Sequence, residues 1–145
     1  MLMNLLLGLS IMALCLLLQA LLLTVAIRYY SRHESELYTP SFWSGLNVII
    51  IVMLLLVIGN LTQVAIWALL FEMLGEFDVF NTAFYHSAVN FSTLGYGDMV
   101  MSDEHRLLGP LQAINGVLMI GVTTAALMAV FQNAIEKTIQ ARRQR

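Results

Sequence analysis

Residues 79–98, VFNTAFYHSAVNFSTLGYGD, decide how this chain folds. The first part, Val79 to Ser92, is amphipathic, with Asn81, Thr82, His86, Ser87 and Asn90 set among aromatic and small apolar side chains. A helix over that stretch is roughly 20 Å long, against the roughly 30 Å of a bilayer's hydrocarbon core. It is also too polar to face lipid. Such a helix enters a membrane and stops part-way, which is tolerated only where protein or a water-filled cavity surrounds it. Directly after it comes Thr93-Leu94-Gly95-Tyr96-Gly97-Asp98. Glycine at every second position lets the backbone take up conformations that strain other residues, since glycine reaches positive φ readily.

The flanks are apolar. No Lys, Arg, Asp or Glu occurs from Met1 to Ile27, from Leu37 to Phe71, or from Leu107 to Ile135. Each stretch exceeds the roughly 20 apolar residues that cross a hydrocarbon core. Of the 145 residues, 59% are hydrophobic and 11% charged, where a soluble domain carries about 25% charged residues. The expectation is an integral, all-α membrane protein with three transmembrane helices and one re-entrant element. Helix one runs from about Leu2 to Tyr29. It lacks the basic start and small-residue cleavage site of a secretion signal and is read as retained. Its lone Cys15 is a small apolar side chain facing lipid or protein. A linker, Ser31 to Ser44, holds Arg32, His33, Glu34, Glu36 and Pro40. Pro40 and Ser41 suit a helix start, and Phe42 and Trp43 suit the membrane interface. Helix two runs from about Phe42 to Leu74, with Asn47, Asn60 and Gln63 expected to face other helices. Gly75, Glu76 and Asp78 mark a break, and the last helix runs from about Leu107 to Gln132 before a short basic tail.

Charge sets the orientation. The linker side carries Arg28 and Arg32, and the tail Lys137, Arg142, Arg143 and Arg145. The opposite side holds Glu72, Glu76, Asp78, Asp98, Asp103 and Glu104, with Arg106 its only base. The positive-inside rule places linker and tail in the cytoplasm and the N-terminus outside.

The string Thr93 to Asp98 resembles the potassium-channel signature, with Leu94 where Val is commonest. Phe80 to Ser92 is similar to that family's pore helix, and Gly116 to Phe131, GVLMIGVTTAALMAVF, to its pore-lining inner helix. The resemblance covers roughly helix two to the tail and implies a tetrameric pore. With the charge and hydropathy pattern, the chain divides into an N-terminal helix (1–30), a cytoplasmic linker (31–44), a pore domain (45–134) and a basic tail (135–145). It implies a homotetramer in membrane lipid that conducts K+ passively, with no cofactor beyond the permeant ion and no nucleic-acid partner. Rings of backbone carbonyls from Thr93, Leu94, Gly95 and Tyr96 replace the ion's hydration shell, with Gly97 completing the filter. Tyr96 is expected to wedge the filter open against the pore helix, and Leu94 to point behind it.

By the same resemblance, Asp98 bonds back to the pore helix, where Tyr85 and His86 stand in the region of the family's usual Trp. Val89 occupies the place of a carboxylate found in some members. Gly116 reads either as a gating hinge or as a close-packing site, and Gly121 carries the same two readings with packing the favoured one. Val117, Ile120 and Thr124 line a cavity below the filter. The acidic outer residues concentrate cations or simply obey the charge bias. Helix one has no regularly spaced Arg or Lys and is no voltage sensor of the usual kind. No nucleophile–base pair, metal-ligand spacing or phosphate loop suggests an enzyme. A poorly selective cation channel and a non-conducting accessory subunit are the rival readings.

Overall fold

The computed structural model describes residues 1–33 and 42–143, with backbone alone described at 42–45, 137–138 and 140–143. α1 spans Leu2–Arg32, α2 Phe42–Met73, α3 Phe80–Phe91 and α4 Leu108–Arg143. No strand occurs among the described residues. Three helices are long and apolar enough to cross a membrane, over Leu2–Arg32, Leu46–Met73 and Leu108–Glu136. The protein is an all-α membrane protein. The expected helix start at Pro40 and Ser41, the interfacial placing of Phe42 and Trp43, and the side chains of Lys137, Arg142, Arg143 and Arg145 lie outside the described residues.

The last helix is longer than the sequence reading made it. α4 continues past Gln132 to Arg143 because the residues after the apolar run, NAIEKTIQARR, hold no Gly or Pro and are rich in good helix formers. The end of the hydrophobic pattern is therefore not the end of the helix.

The bundle is packed inside out relative to a soluble one. Leu2, Leu6, Leu17 and Leu21 of α1 are more than half exposed, while Asn4, Gln19, Gln63, Gln112 and Asn115 are buried. In lipid this is the favourable arrangement, since polar groups there find partners only on other helices. Asn60 and Gln63 face inward as expected, whereas Asn47 lies exposed on the single chain. Cys15 faces protein, with no exposed surface.

One face of α1, carrying Asn4, Gly8, Cys15, Gln19, Ala26 and Tyr30, is buried. That face lies against α4 and α2. The Asn4 amide donates to the Glu104 carbonyl, and a Cβ on Gly8 would meet Leu111 Cδ1 at 2.5 Å. Farther along, Tyr30 packs in one cluster with Val48, Val52 and Ala134. α1 thus runs parallel to α4 and antiparallel to α2. The start of α1 shares an end of the bundle with residues 93–106, and its finish shares the other end with the start of α2.

α3, twelve residues long, is about 18 Å in length and cannot span the core. Protein covers it instead. Ser87 Oγ donates to the Val64 carbonyl of α2 at 2.7 Å, and the Gln112 amide of α4 donates both to the Ser87 carbonyl at 3.1 Å and to the Ser87 hydroxyl. Ala83 and Ser87 are fully buried. One hydroxyl therefore joins three helices, so Ser87→Ala is expected to destabilise the protein by about 0.5–1.5 kcal/mol. Thermal unfolding in detergent measures this, and an unchanged midpoint would show that α3 is seated by apolar contact alone.

Candidate ion-conduction site

Below Phe91 the chain leaves the helix in a tight turn. The Thr93 amide donates to the Asn90 carbonyl at 2.9 Å and the Leu94 amide to the Val89 carbonyl at 3.0 Å. Ser92 Oγ donates to the Ala88 carbonyl at 2.8 Å. Beyond the turn the backbone alternates. Thr93, Gly95 and Gly97 have φ of 60°, 59° and 73°, while Leu94 and Tyr96 between them are not in the positive range. Alternation of handedness gathers successive amides on one side of a strand and successive carbonyls on the other. Thr93 is the only non-glycine with positive φ among the described residues. A left-handed conformation there is worth about 1–2 kcal/mol of strain, which the surrounding structure must hold in place.

This segment stands largely clear of its own chain. Leu94 is 55% and Tyr96 67% exposed, and a Cβ at Gly95 or Gly97 would meet nothing within 4 Å. Tyr96 therefore does not wedge against its own pore helix to any large extent. Leu94 is not among the residues that wall the space behind the segment on this chain. That space is a cleft of about 380 Å³ walled by Val89 and Asn90 of α3, by Thr93 and Gly97, and by Gly109 and Pro110 of α4.

Of the two partners expected for Asp98, Tyr85 makes the contact: its Oη donates to Asp98 Oδ2 at 2.9 Å. His86 bonds instead to the backbone of Met99, the residue after Asp98. Its Nε2 accepts from Asn90 Nδ2 at 2.9 Å, and its ring lies 4.9 Å from Phe77 and 5.7 Å from Phe71. Adjacent residues on a helix point about 100° apart, so Tyr85 takes the Asp98 carboxylate while His86 meets the backbone beside it. Val89 is buried, 7% exposed.

On α4, Val117, Ile120, Gly121 and Thr124 form an exposed stripe at helical spacing. Gln112, Asn115, Gly116, Met119 and Thr123 occupy the buried, opposite face. Gly116 is a site of backbone contact, because a Cβ there would lie 2.0 Å from the Phe91 carbonyl oxygen. Gly121 is the reverse: nothing comes within 4 Å of its Cβ position, so the packing expected of it is absent within the chain.

A knot beside the site was not legible in the sequence. Glu76, its side chain 5% exposed, accepts from Ser102 N at 2.7 Å and Ser102 Oγ at 2.5 Å, and lies 2.6 Å from His105 Nδ1. It ties the turn between α2 and α3 to the loop that follows the 93–98 segment. Burial opposes its charge, but the Ser102 bonds and the His105 ring outweigh that and hold the carboxyl below its ordinary range. No local pattern connects Glu76 with His105, 29 residues away. Arg106 and Asp103 pair at 3.0 Å in an exposed position, where such pairs contribute little.

Two outcomes follow from this geometry. Gly116→Ala should lower the unfolding midpoint by several degrees, since neither helix backbone can give way, whereas Gly121→Ala should hold or raise it through helix propensity. Thermal unfolding of both variants compares them. The Glu76 contribution is present above the ordinary carboxylate range and is lost as pH falls through its depressed value. The parent should therefore lose more stability than Glu76→Gln on titration from neutral pH to below 4.5, the ordinary value of its carboxyl. Parallel titration curves would sink that assignment.

A family model described as an ion channel matches residues 51–133, which take in most of α2, all of α3, the 93–98 segment and much of α4. The curated proteins and the solved structures returned no match. α1 lies outside the matched region. With a re-entrant helix and an alternating backbone segment held between two membrane-crossing helices, and with more than half of its length matched, the chain belongs to the ion channel family.

Proposed function

We propose that this chain is the subunit of a homotetrameric potassium channel in which residues 93–97 form the selectivity filter. The observation that carries the reading is the alternation of φ at Thr93, Gly95 and Gly97 immediately after a helix that stops inside the membrane. Four such segments about one axis present stacked rings of carbonyls from Thr93, Leu94, Gly95 and Tyr96. A dehydrated K+ exchanges water oxygens for these at nearly equal energy, and neighbouring sites let ions move on by mutual repulsion. The Thr93 hydroxyl adds an innermost ring of oxygens.

The openness of the segment supports assembly. Leu94 and Tyr96 are mostly uncovered in one subunit, and a filter must be rigid to discriminate between ions. Neighbouring subunits supply the missing walls. The same holds for the stripe of Val117, Ile120, Gly121 and Thr124, which four subunits turn toward a common cavity. α3 ends at Phe91, next to the filter, so the negative end of its dipole favours a cation there. The Tyr85–Asp98 bond holds the outer end of the filter to the pore helix.

Charge bias puts the linker and tail in the cytoplasm of a cell membrane, with the N-terminus and filter mouth outside. Glu72, Asp78, Asp103 and Glu104 raise the local cation concentration at that mouth. Purified protein in liposomes is expected to take up potassium in strong preference to sodium, and to lose that uptake in Gly95→Ala, where φ of 59° disfavours a side chain. Equal uptake of the two ions would replace this reading with a non-selective channel. An intact tetramer that passes neither would favour an accessory subunit.

A further inference from the structure

We infer that α1 is a splint on the inner helix, and that the Gln19–Thr123 hydrogen bond is where it grips. The inference rests on the channel reading and assigns α1, which the family match leaves out, a part in gating.

The two halves of α4 are held differently. Its first half is fastened to α3, through Gln112 on Ser87 and through Gly116 against the Phe91 carbonyl. α3 ends there, so the second half has only α1 and α2 beside it. α1 runs along it at a nearly constant offset: Gly8 meets Leu111, Gln19 meets Thr123, and Tyr30 shares a cluster with Ala134. Gly8–Leu111 is an apolar contact, and such contacts slide. The Gln19 contact is polar and directional.

There, a chain of hydrogen bonds crosses three helices. Gln63 Nε2 of α2 donates to Gln19 Oε1 at 2.8 Å. Gln19 Nε2 donates to Thr123 Oγ1 at 3.1 Å, and Thr123 Oγ1 donates to Asn60 Oδ1 of α2 at 3.3 Å. Gln63, Gln19 and Thr123 are 0%, 2% and 6% exposed. No water within the hydrocarbon replaces a partner that leaves, so α4 cannot shift there without exposing unpaired polar atoms.

Gly121 stands two positions before Thr123, with open space around it, in the middle of the exposed stripe. It is the weak point of an otherwise continuous helix. A bend there would change the width of the stripe between Ile120 and Thr124, and would pull Thr123 from Gln19. The bond therefore opposes that bend and holds α4 in the straight form.

The test uses the full chain with Gln19→Leu, Thr123→Val, the double variant, and Thr123→Ser as the form that keeps the hydroxyl. Two readouts are taken: single-channel open-to-closed ratio in planar bilayers, and amide hydrogen exchange over residues 121–136 in detergent. Each of the first two variants should shift the ratio about threefold to twentyfold in one common direction, the range that such membrane hydrogen bonds span. The double variant should match a single one, Thr123→Ser should match the parent, and the potassium-to-sodium permeability ratio should not move. Exchange over 121–136 should quicken in step. Parental exchange and gating in Thr123→Val, or effects of the two single variants that add, would overturn the splint. A parent that passes no ions would remove the channel reading while exchange still decides whether α1 holds α4.

Discussion

A polar helix of twelve residues cannot cross a bilayer and cannot face lipid, so everything around α3 is arranged to cover it. α2 and α4 supply the walls. The Ser87 hydroxyl reaches the Val64 carbonyl, the Gln112 amide reaches Ser87, and Gly116 is bare so that the Phe91 carbonyl comes close. Remove the cover and the backbone at residues 91–94 would have no fixed starting point. With it, the alternating segment begins at a defined depth and direction.

The helices that provide this cover have no hydrophobic force drawing them together, because lipid is as apolar as their own side chains. Beside the apolar clusters, small residues and buried amides therefore fix how the helices meet. Gly8 and Gly59 admit Leu111 and Leu22, and the amides of Gln19 and Gln63 join α1 to α2 and α4. At the water-exposed end an acid takes over, with Glu76 gathering Ser102 and His105. Polar bonds are spread along the bundle at three levels, near Glu76, Ser87 and Gln19, and each ties segments distant in the chain.

The single chain is closed on one side and open on the other. α1, α2 and α3 bury one face of α4, while Val117, Ile120, Gly121 and Thr124 remain uncovered, as do Leu94 and Tyr96. In the proposed tetramer that openness is the working surface, facing ions and neighbours. A chain that completed its own packing would have no surface left from which to build a shared pore.

Much was determined by the sequence alone. Charge-free stretches of more than twenty residues mark the three crossings, and the polarity and shortness of Val79–Ser92 mark a helix that turns back, because hydrocarbon thickness is a fixed ruler. Gly95 and Gly97 announce the alternating backbone, since a single residue's conformational freedom is a local property. The end of α4 was missed because apolarity stops at the membrane surface while helix propensity carries on. Only the tertiary structure chose Tyr85 over His86 for Asp98, made Gly116 a contact and left Gly121 free, and joined Gln19 to Thr123 and Glu76 to His105. Each of those depends on the rotation and depth of one helix against another. A difference of about 100° per residue decides it, and no pattern along a single segment carries that angle.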